Sequence, residues 1–457
     1  MYRQLAERLN TLIGTGVLRA GELLPPERTL AATLSVSRGT VVSAYDSLRD
    51  AGAVAREQGR GTTIRALEPV LDAAHAPSLG ETLFQPPPES IDLLVAVPDA
   101  LDRVLRTVEG VDLGAAGRVL ASSEPAGLTS LRTAIADHIT AQGLQTGPGE
   151  VIVTAGAQQG IALVVSMMVR PGDVVLTEAL TWPGLADSAR RLGARVIGVP
   201  MDEHGIVTRE LRAAVDRFRP TLIGLNPHHH NPTGTRLPPS RREEVAAIAA
   251  DYQVPVIEDR VSAPLAFDGV VPPPIAAHDP AGLHIVVDSL SKVAWPGLRI
   301  GWVRAAGPTV GTLRSGRALL DMFSPIPSQL MAEAVLGDYE AILADRRAQL
   351  ETRSTLVIDT MRRELPDWTL PEIRGGLMMW VPLPYGSASD FGRFAAANGV
   401  AVAGGREFSS STFTDDHVRI PFTAPEADLV EAVRRLARAW AEFPTGHVEP
   451  SSPVTVV

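Results

Sequence analysis

A single lysine stands in this chain. Lysine and arginine together number 42, and Lys292 is the only lysine, so arginine supplies the other 41. It lies in DSLSKVAWPGLRIGW, residues 288–302. A guanidinium stays protonated and cannot act as an amine nucleophile, whereas a lysine amine can form a Schiff base with a carbonyl. Composition drift could leave one lysine anywhere, but this one has particular neighbours. Ser289 and Ser291 precede it and Arg299 follows seven residues later. An amine, hydroxyl donors and a guanidinium within eleven residues suit a phosphate-bearing cofactor held covalently through the amine.

Other stretches offer partners to such a group. VIVTAGAQQGIAL (151–163) reads as a strand, a small-residue turn and a helix start. The amides of Gly156, Ala157 and Gln158 would suit a phosphate at that helix N-terminus, although many strand-to-helix turns share this pattern. LNPHHHNPTG (225–234) puts Asn231 on a Pro-Gly turn after a strand. Adjacent histidines in an extended loop point in different directions, and no acid lies within the motif, so no metal site is expected there. VPVIEDR (254–260) ends a strand on Glu258 and Asp259. Asp259 would either be solvated at the strand end or face a cationic ring nitrogen. Pyridoxal 5'-phosphate meets these demands together. Its aldehyde takes Lys292, and its phosphate takes Ser289, Ser291, Arg299 and the amides near Gly156. Its pyridinium nitrogen takes Asp259 and its ring oxygen takes Asn231.

The elements that must position these groups alternate. From about residue 91 to 442, apolar strand-like runs such as VIVTAG, VVLTEA, TLIGLNP, VPVIEDR and IVVDSLSK alternate with helical patterns. That order argues for an α/β domain with a mostly parallel sheet. Ligands in such sheets sit beyond the carboxyl ends of the strands, where each residue named above falls. Residues 66–90, rich in Ala and Pro, read as a linker, and residues 443–457 as a disordered tail.

Residues 1–65 read differently. YRQLAERLNTLI places Leu5, Leu9, Leu12 and Ile13 on one helical face. PPERTLAATL then turns Leu30, Ala31 and Leu34 inward, and Ser37 caps a helix whose buried stripe is Val41, Ala44, Tyr45 and Leu48. Gly52 is expected to stop that helix, and AVAREQGRGTTI reads as two strands around a Gly-rich turn. Two short helices so closely spaced are a helix-turn-helix, and Arg38 and Thr40 fall at the start of its second helix, where base edges and phosphates are met. The alternative is a small helical scaffold with no DNA role. Charge supports the first reading: residues 1–65 hold nine arginines against six acids, on a chain of net charge −10.

The chain has no cysteine, so disulfides and thiolate metal sites are excluded. The polar start MYRQLAERLN does not read as a signal peptide, and the apolar-rich stretch IALVVSMMV, interrupted by Ser166, is too short to cross a bilayer. A cytoplasmic protein with no membrane partner is expected.

Both halves resemble known families. Residues 2–64 resemble the GntR-type winged helix through LPPERTLAATLSVSRGTVVSAYDSLRDAGAVAREQGRGT. The resemblance implies operator-DNA contacts at Arg28, Ser37, Arg38, Thr40 and wing Arg60, with Pro26 where that family more often has serine. NPTG, ED, SLSK with PGLRIGW, and GGLMMWVPLP resemble the fold type I, aspartate aminotransferase-like enzymes in order and spacing. That implies a mostly parallel sheet with helices on both faces, a smaller C-terminal α+β subdomain, and a homodimer. It also implies that Trp182 stacks on the cofactor ring, that Lys292 and Asp259 are catalytic, and that Arg419 grips a substrate α-carboxylate. Together the halves resemble the MocR subfamily of GntR regulators. Two positions depart from the pattern: Val261 and Ser122 stand where tyrosines are usual, which weakens the case for efficient transamination. The reading is therefore a regulator that senses an amine or amino acid. The alternatives are an active aminotransferase with a DNA-binding appendage, or a DNA-binding protein whose second domain only dimerises.

Overall fold

Ser37 marks the joint of the N-terminal unit. Its hydroxyl accepts the Thr40 amide at 3.1 Å, satisfying a free donor where helix Arg38–Asp50 begins. The computed structural model describes residues 5–6, 9, 23–34, 36–50, 54–57, 61–64, 86–116, 124–410 and 415–444. Two compact units are formed within Met1–Ala76 and Pro77–Thr455.

In the first unit, helix Glu27–Thr33 leads to helix Arg38–Asp50, followed by β1 (Val54–Glu57) and β2 (Gly61–Ile64), an antiparallel pair. Val41, Ala44, Tyr45 and Leu48 are buried together with Leu9, Leu24 and Ala31. The Tyr45 hydroxyl donates to the Pro25 carbonyl at 2.8 Å, and burial pushes its pKa up to about 12. Leu34 corrects the sequence reading, since it is 45% exposed. The helix ends at Thr33, so the helical period no longer carries to Leu34, and Val36 packs on the core instead. Leu12, Ile13, Gly52 and Arg60 lie outside the described residues.

The second unit opens with β3 (Ile91–Leu93). The strands β4 (Val151–Thr154), β5 (Val174–Glu178) and β6 (Arg195–Val199) follow, then a small hairpin of β7 (Met201–Asp202) and β8 (Gly205–Ile206). Next come β9 (Leu222–Leu225), β10 (Val256–Asp259), β11 (His284–Ser289) and β12 (Gly301–Arg304). Seven of these form one sheet in the order β4-β12-β11-β10-β9-β5-β6. Its pairs are parallel except at β12, which runs antiparallel to both neighbours. Alternate residues feed opposite faces. Val151, Val153, Val286 and Trp302 join one core, while Ile152, Ile285, Val287 and Val303 join another with the helix Ala157–Met168. Burial on both sides explains why these strands read as unbroken apolar runs.

A smaller sheet, β13-β15-β14-β3, uses β13 (Met378–Pro382), β14 (Val400–Gly404) and β15 (His417–Pro421). Here β3 pairs in parallel with β14, so residues about 300 apart in sequence share a sheet. Phe443, which the sequence reading leaves to the tail, packs on Phe391 and Trp440 with ring centroids 5.4 and 5.7 Å away. Among the described residues no helix is long and apolar enough to cross a membrane.

Candidate functional site

Parallel strands deliver their last residues to one edge of the sheet. Gly156, Glu178, Asn226, Asp259 and Ser289 all sit at or just beyond strand ends there. Gly156 precedes helix Ala157–Met168 at φ 105°, a conformation that disfavours any side chain. A Cβ at Gly156 would also lie 3.4 Å from Arg299 Nη2, and one at Gly301 would meet Gly156 main-chain carbon at 2.7 Å. Two glycines thus let Arg299 and β12 close over the helix N-terminus. Arg299 donates to the Ala155 carbonyl. Ser289 Oγ and Ser291 Oγ are 2.7 Å apart, and Ser289 donates to the Ile300 carbonyl. Gln158 accepts from Trp182 Nε1 at 3.0 Å, at the start of helix Pro183–Arg191.

Lys292 Nζ donates to the Ala96 carbonyl at 2.7 Å. Burial, with Arg419 nearby, lowers its pKa to about 8, against which Asp259 pulls. Some free amine is therefore present at neutral pH. Burial raises Asp259 to about 6, opposed by hydrogen bonds from the Val261 amide and the Asn226 side chain and by Lys292. Asp288 is raised by burial to about 7, one residue before Ser289, whose amide it accepts at 2.7 Å.

Arg419 is fully buried on β15. It donates to Asn231 Oδ1 at 3.1 Å and to the Leu94 carbonyl, and its guanidinium lies 4.5 Å from the Phe408 ring centroid. Its Nε has no hydrogen-bond partner among the described residues. Burial lowers its pKa to about 9.

The three histidines turn to separate surroundings. His228 lies with Glu258, Arg242 and Arg260 inside the core. His229 sits at φ 41° under Gly375 and Gly376, and a Cβ at Gly375 would come 2.4 Å from its ring. His230 meets Thr233 Oγ1 at 2.8 Å.

Contacts thus connect Lys292, Asp259, Asn231 and Arg419 in one neighbourhood, and Gly156, Gln158, Trp182 and Arg299 in another beside it. Ser122 lies outside the described residues. Sequence reasoning missed Asn226 and Glu178. Glu178 is buried, accepts the Asn226 amide at 2.8 Å, and is raised by burial to about 8. Glu178 ends β5 and Asn226 directly follows β9, the same kind of position that picked out Asp259. The carbonyls of Leu94 and Ala96 carry no side-chain signal at all.

In the first unit, Arg28, Ser37 and Arg38 are exposed and Thr40 is half-buried. Arg38 pairs with Glu27 at 3.2 Å.

Residues 92–436 match the family described as aminotransferase class I and II, and residues 1–64 match bacterial regulatory proteins of the gntR family. The pyridoxine biosynthesis transcriptional regulator PdxR of Corynebacterium glutamicum is 32% identical over 82% of this chain and 81% of its own length. The transcriptional regulator TauR of Rhodobacter capsulatus is 27% identical, covering 95% and 96% of the two chains. Among solved structures, the α-aminoadipate aminotransferase LysN of Thermus thermophilus, complexed with N-(5'-phosphopyridoxyl)-L-leucine, superposes with a TM-score of 0.68. It is 25% identical, with 76% of this chain and 93% of that one covered.

Proposed function

The chain belongs to the aminotransferase class I and II family with a gntR-family segment ahead of it, and on that premise we propose that it is a DNA-binding transcription regulator that uses pyridoxal 5'-phosphate to sense an amine or amino acid. The observation that carries this reading is Lys292, the one amine nucleophile among the side chains, half-buried beside Asp259 and Arg419.

The residues present fit the cofactor. The Gly156 cradle, the Ser289–Ser291 hydroxyl pair and the Arg299 guanidinium are donors suited to a phosphate dianion. The orphan Arg419 Nε is a donor suited to a ligand carboxylate. Gly156, Ala157, Gln158, Ser289, Ser291 and Arg299 would hold the phosphate, and Trp182 would cover the ring. Asp259 would pair with the ring nitrogen and Asn231 with the ring oxygen. When bound, pyridoxal phosphate supplies an electrophilic aldehyde to amines. Lys292 contributes the resident amine, and its lowered pKa keeps part of it unprotonated. Arg419 would orient an incoming amino acid by its α-carboxylate. Val261 offers no hydroxyl near Asp259, which favours sensing over rapid turnover. In the first unit, Arg28, Ser37, Arg38, Thr40 and Arg60 would contact operator DNA. The reading includes a cytoplasmic homodimer.

The test is operator titration at fixed salt with apo, cofactor-loaded and amine-treated protein. An amine that changes operator affinity by about 5- to 150-fold, the usual size of a coupling between sites, would support sensing, and linkage then requires operator DNA to change amine affinity by the same factor. Three superimposable curves, with multiple turnover on a keto acid, would move the aminotransferase reading ahead.

A further inference from the structure

We propose that Asn226 is a positioning residue that sets Asp259 and Asn231 together, so that both groups facing the cofactor ring are held by one side-chain amide. The inference rests on the cofactor reading above.

Three neighbouring strands carry the arrangement. In parallel register, Thr177 of β5 faces Gly224 of β9, and Leu225 of β9 faces Glu258 of β10. Glu178, Asn226 and Asp259 therefore stand in a row at adjoining strand ends. Asn226 is 4% exposed, so its amide must find its partners inside the protein. Its main-chain N–H donates to Glu178 Oε1 at 2.8 Å, which fixes the backbone. Its Oδ1 accepts the Asn231 amide at 3.1 Å, which assigns the oxygen and leaves the NH2 group to donate to the Asp259 carboxylate. The chain of contacts runs on from Asn231 Oδ1 to Arg419. One amide thus joins the partner of the ring nitrogen, the partner of the ring oxygen and the carboxylate grip. A primary amide supplies a donor on one side and an acceptor on the other, which neither alanine nor an ionised aspartate does.

Removing the donor should let Asp259 protonate at higher pH, because a hydrogen bond to the charged form lowers a carboxyl pKa. Asp259 pairs with the ring nitrogen as a carboxylate, so cofactor affinity should fall as pH drops, and that acid limb should lie at higher pH in the variant. The experiment is absorption titration of apo protein with pyridoxal 5'-phosphate across pH, for wild type, Asn226→Ala and Asn226→Asp. Asn226→Ala should raise the dissociation constant about tenfold and move the acid limb up by about one pH unit, the order expected for one hydrogen bond to a charged group. Asn226→Asp should move it further in the same direction, since a second carboxylate beside Asp259 disfavours ionisation. Thermal melting and operator binding of the apo variants report folding. A merely structural Asn226 would lower the melting temperature and leave the acid limb in place. A folded variant of either kind with the wild-type limb and affinity would overturn the inference alone. A wild-type protein that takes up no cofactor would overturn the site reading and the inference together.

Discussion

Arg38, at the start of a helix in the first unit, and Arg419, within a strand of the second, place one side-chain type in opposite surroundings. The Arg38 side chain is 66% exposed and meets Glu27 at 3.2 Å. Such an exposed pair is worth about 0–1 kcal/mol, so the guanidinium can change partners at little cost. That is what a reader of phosphates and base edges requires. Arg419 is 0% exposed, fixed by Asn231, the Leu94 carbonyl and the Phe408 face. In that low-dielectric setting any carboxylate it accepts is felt strongly, and any group of the wrong shape leaves a buried charge unpaired. Burial, more than residue type, separates a general contact from a selective one.

Lys292→Arg gives the sharpest break. It keeps positive charge in the pocket and removes the nucleophile, so covalent cofactor attachment should be lost entirely while operator binding by the apo protein persists. Borohydride reduction and peptide mapping should place the pyridoxyl group on Lys292 in the wild type. Modification of the N-terminus alone would end that assignment.

Glu178→Gln probes burial directly. Glu178 is raised from 4.5 to about 8, so its contribution to stability is full below about 4.5 and is lost as pH rises through about 8. Apo wild type should lose stability across that window relative to the variant, with a slope of up to about 1.4 kcal/mol per pH unit. Denaturant midpoints at several pH values measure it, and parallel pH profiles would mean that Glu178 is ionised as freely as a surface acid.

Arg419→Ala should weaken α-carboxylate ligands by about 10- to 150-fold, the size of a hydrogen bond to a charged group, and simple amines much less. Equal loss for both ligand classes, read by cofactor absorption, would make Arg419 a fold residue. On the exposed side of the comparison, Arg38→Ala should cost about 1–3 kcal/mol at one operator position if it reads a base. If it meets only phosphate, affinity should fall across all sequences with a shallower salt dependence. No change in either would remove Arg38 from the interface.

Much of this architecture can be read from residue order. The apolar runs ending at Thr154, Glu178, Leu225, Asp259 and Ser289 are strands, and polar residues at such ends are where a sheet presents chemistry. Other features are invisible locally. The antiparallel run of β12 between β11 and β4 depends on long-range pairing, as does the union of β3 with β14. Periodicity names a face but not its partner. Leu34 fails for a related reason: one residue beyond a helix end, the period that predicts burial has stopped. Asn226 hides because its role lies in contacts with Glu178, Asn231 and Asp259, two of them far away in sequence, which residue type and position alone do not reveal.

Two carbonyls give the pocket a further property. Leu94 and Ala96, just beyond β3, offer their main-chain oxygens to Arg419 and Lys292. On the proposed reading, the protein would therefore compete with its own ligands. An arriving carboxylate does not meet a bare guanidinium; where it takes the place of the Leu94 oxygen, affinity is the balance of an exchange. A neutral acceptor would trade like for like and gain little, whereas an anionic one makes a bond roughly twice as strong as a neutral pair. Built-in competition of this kind would set a threshold, filtering ligands by charge before shape is consulted.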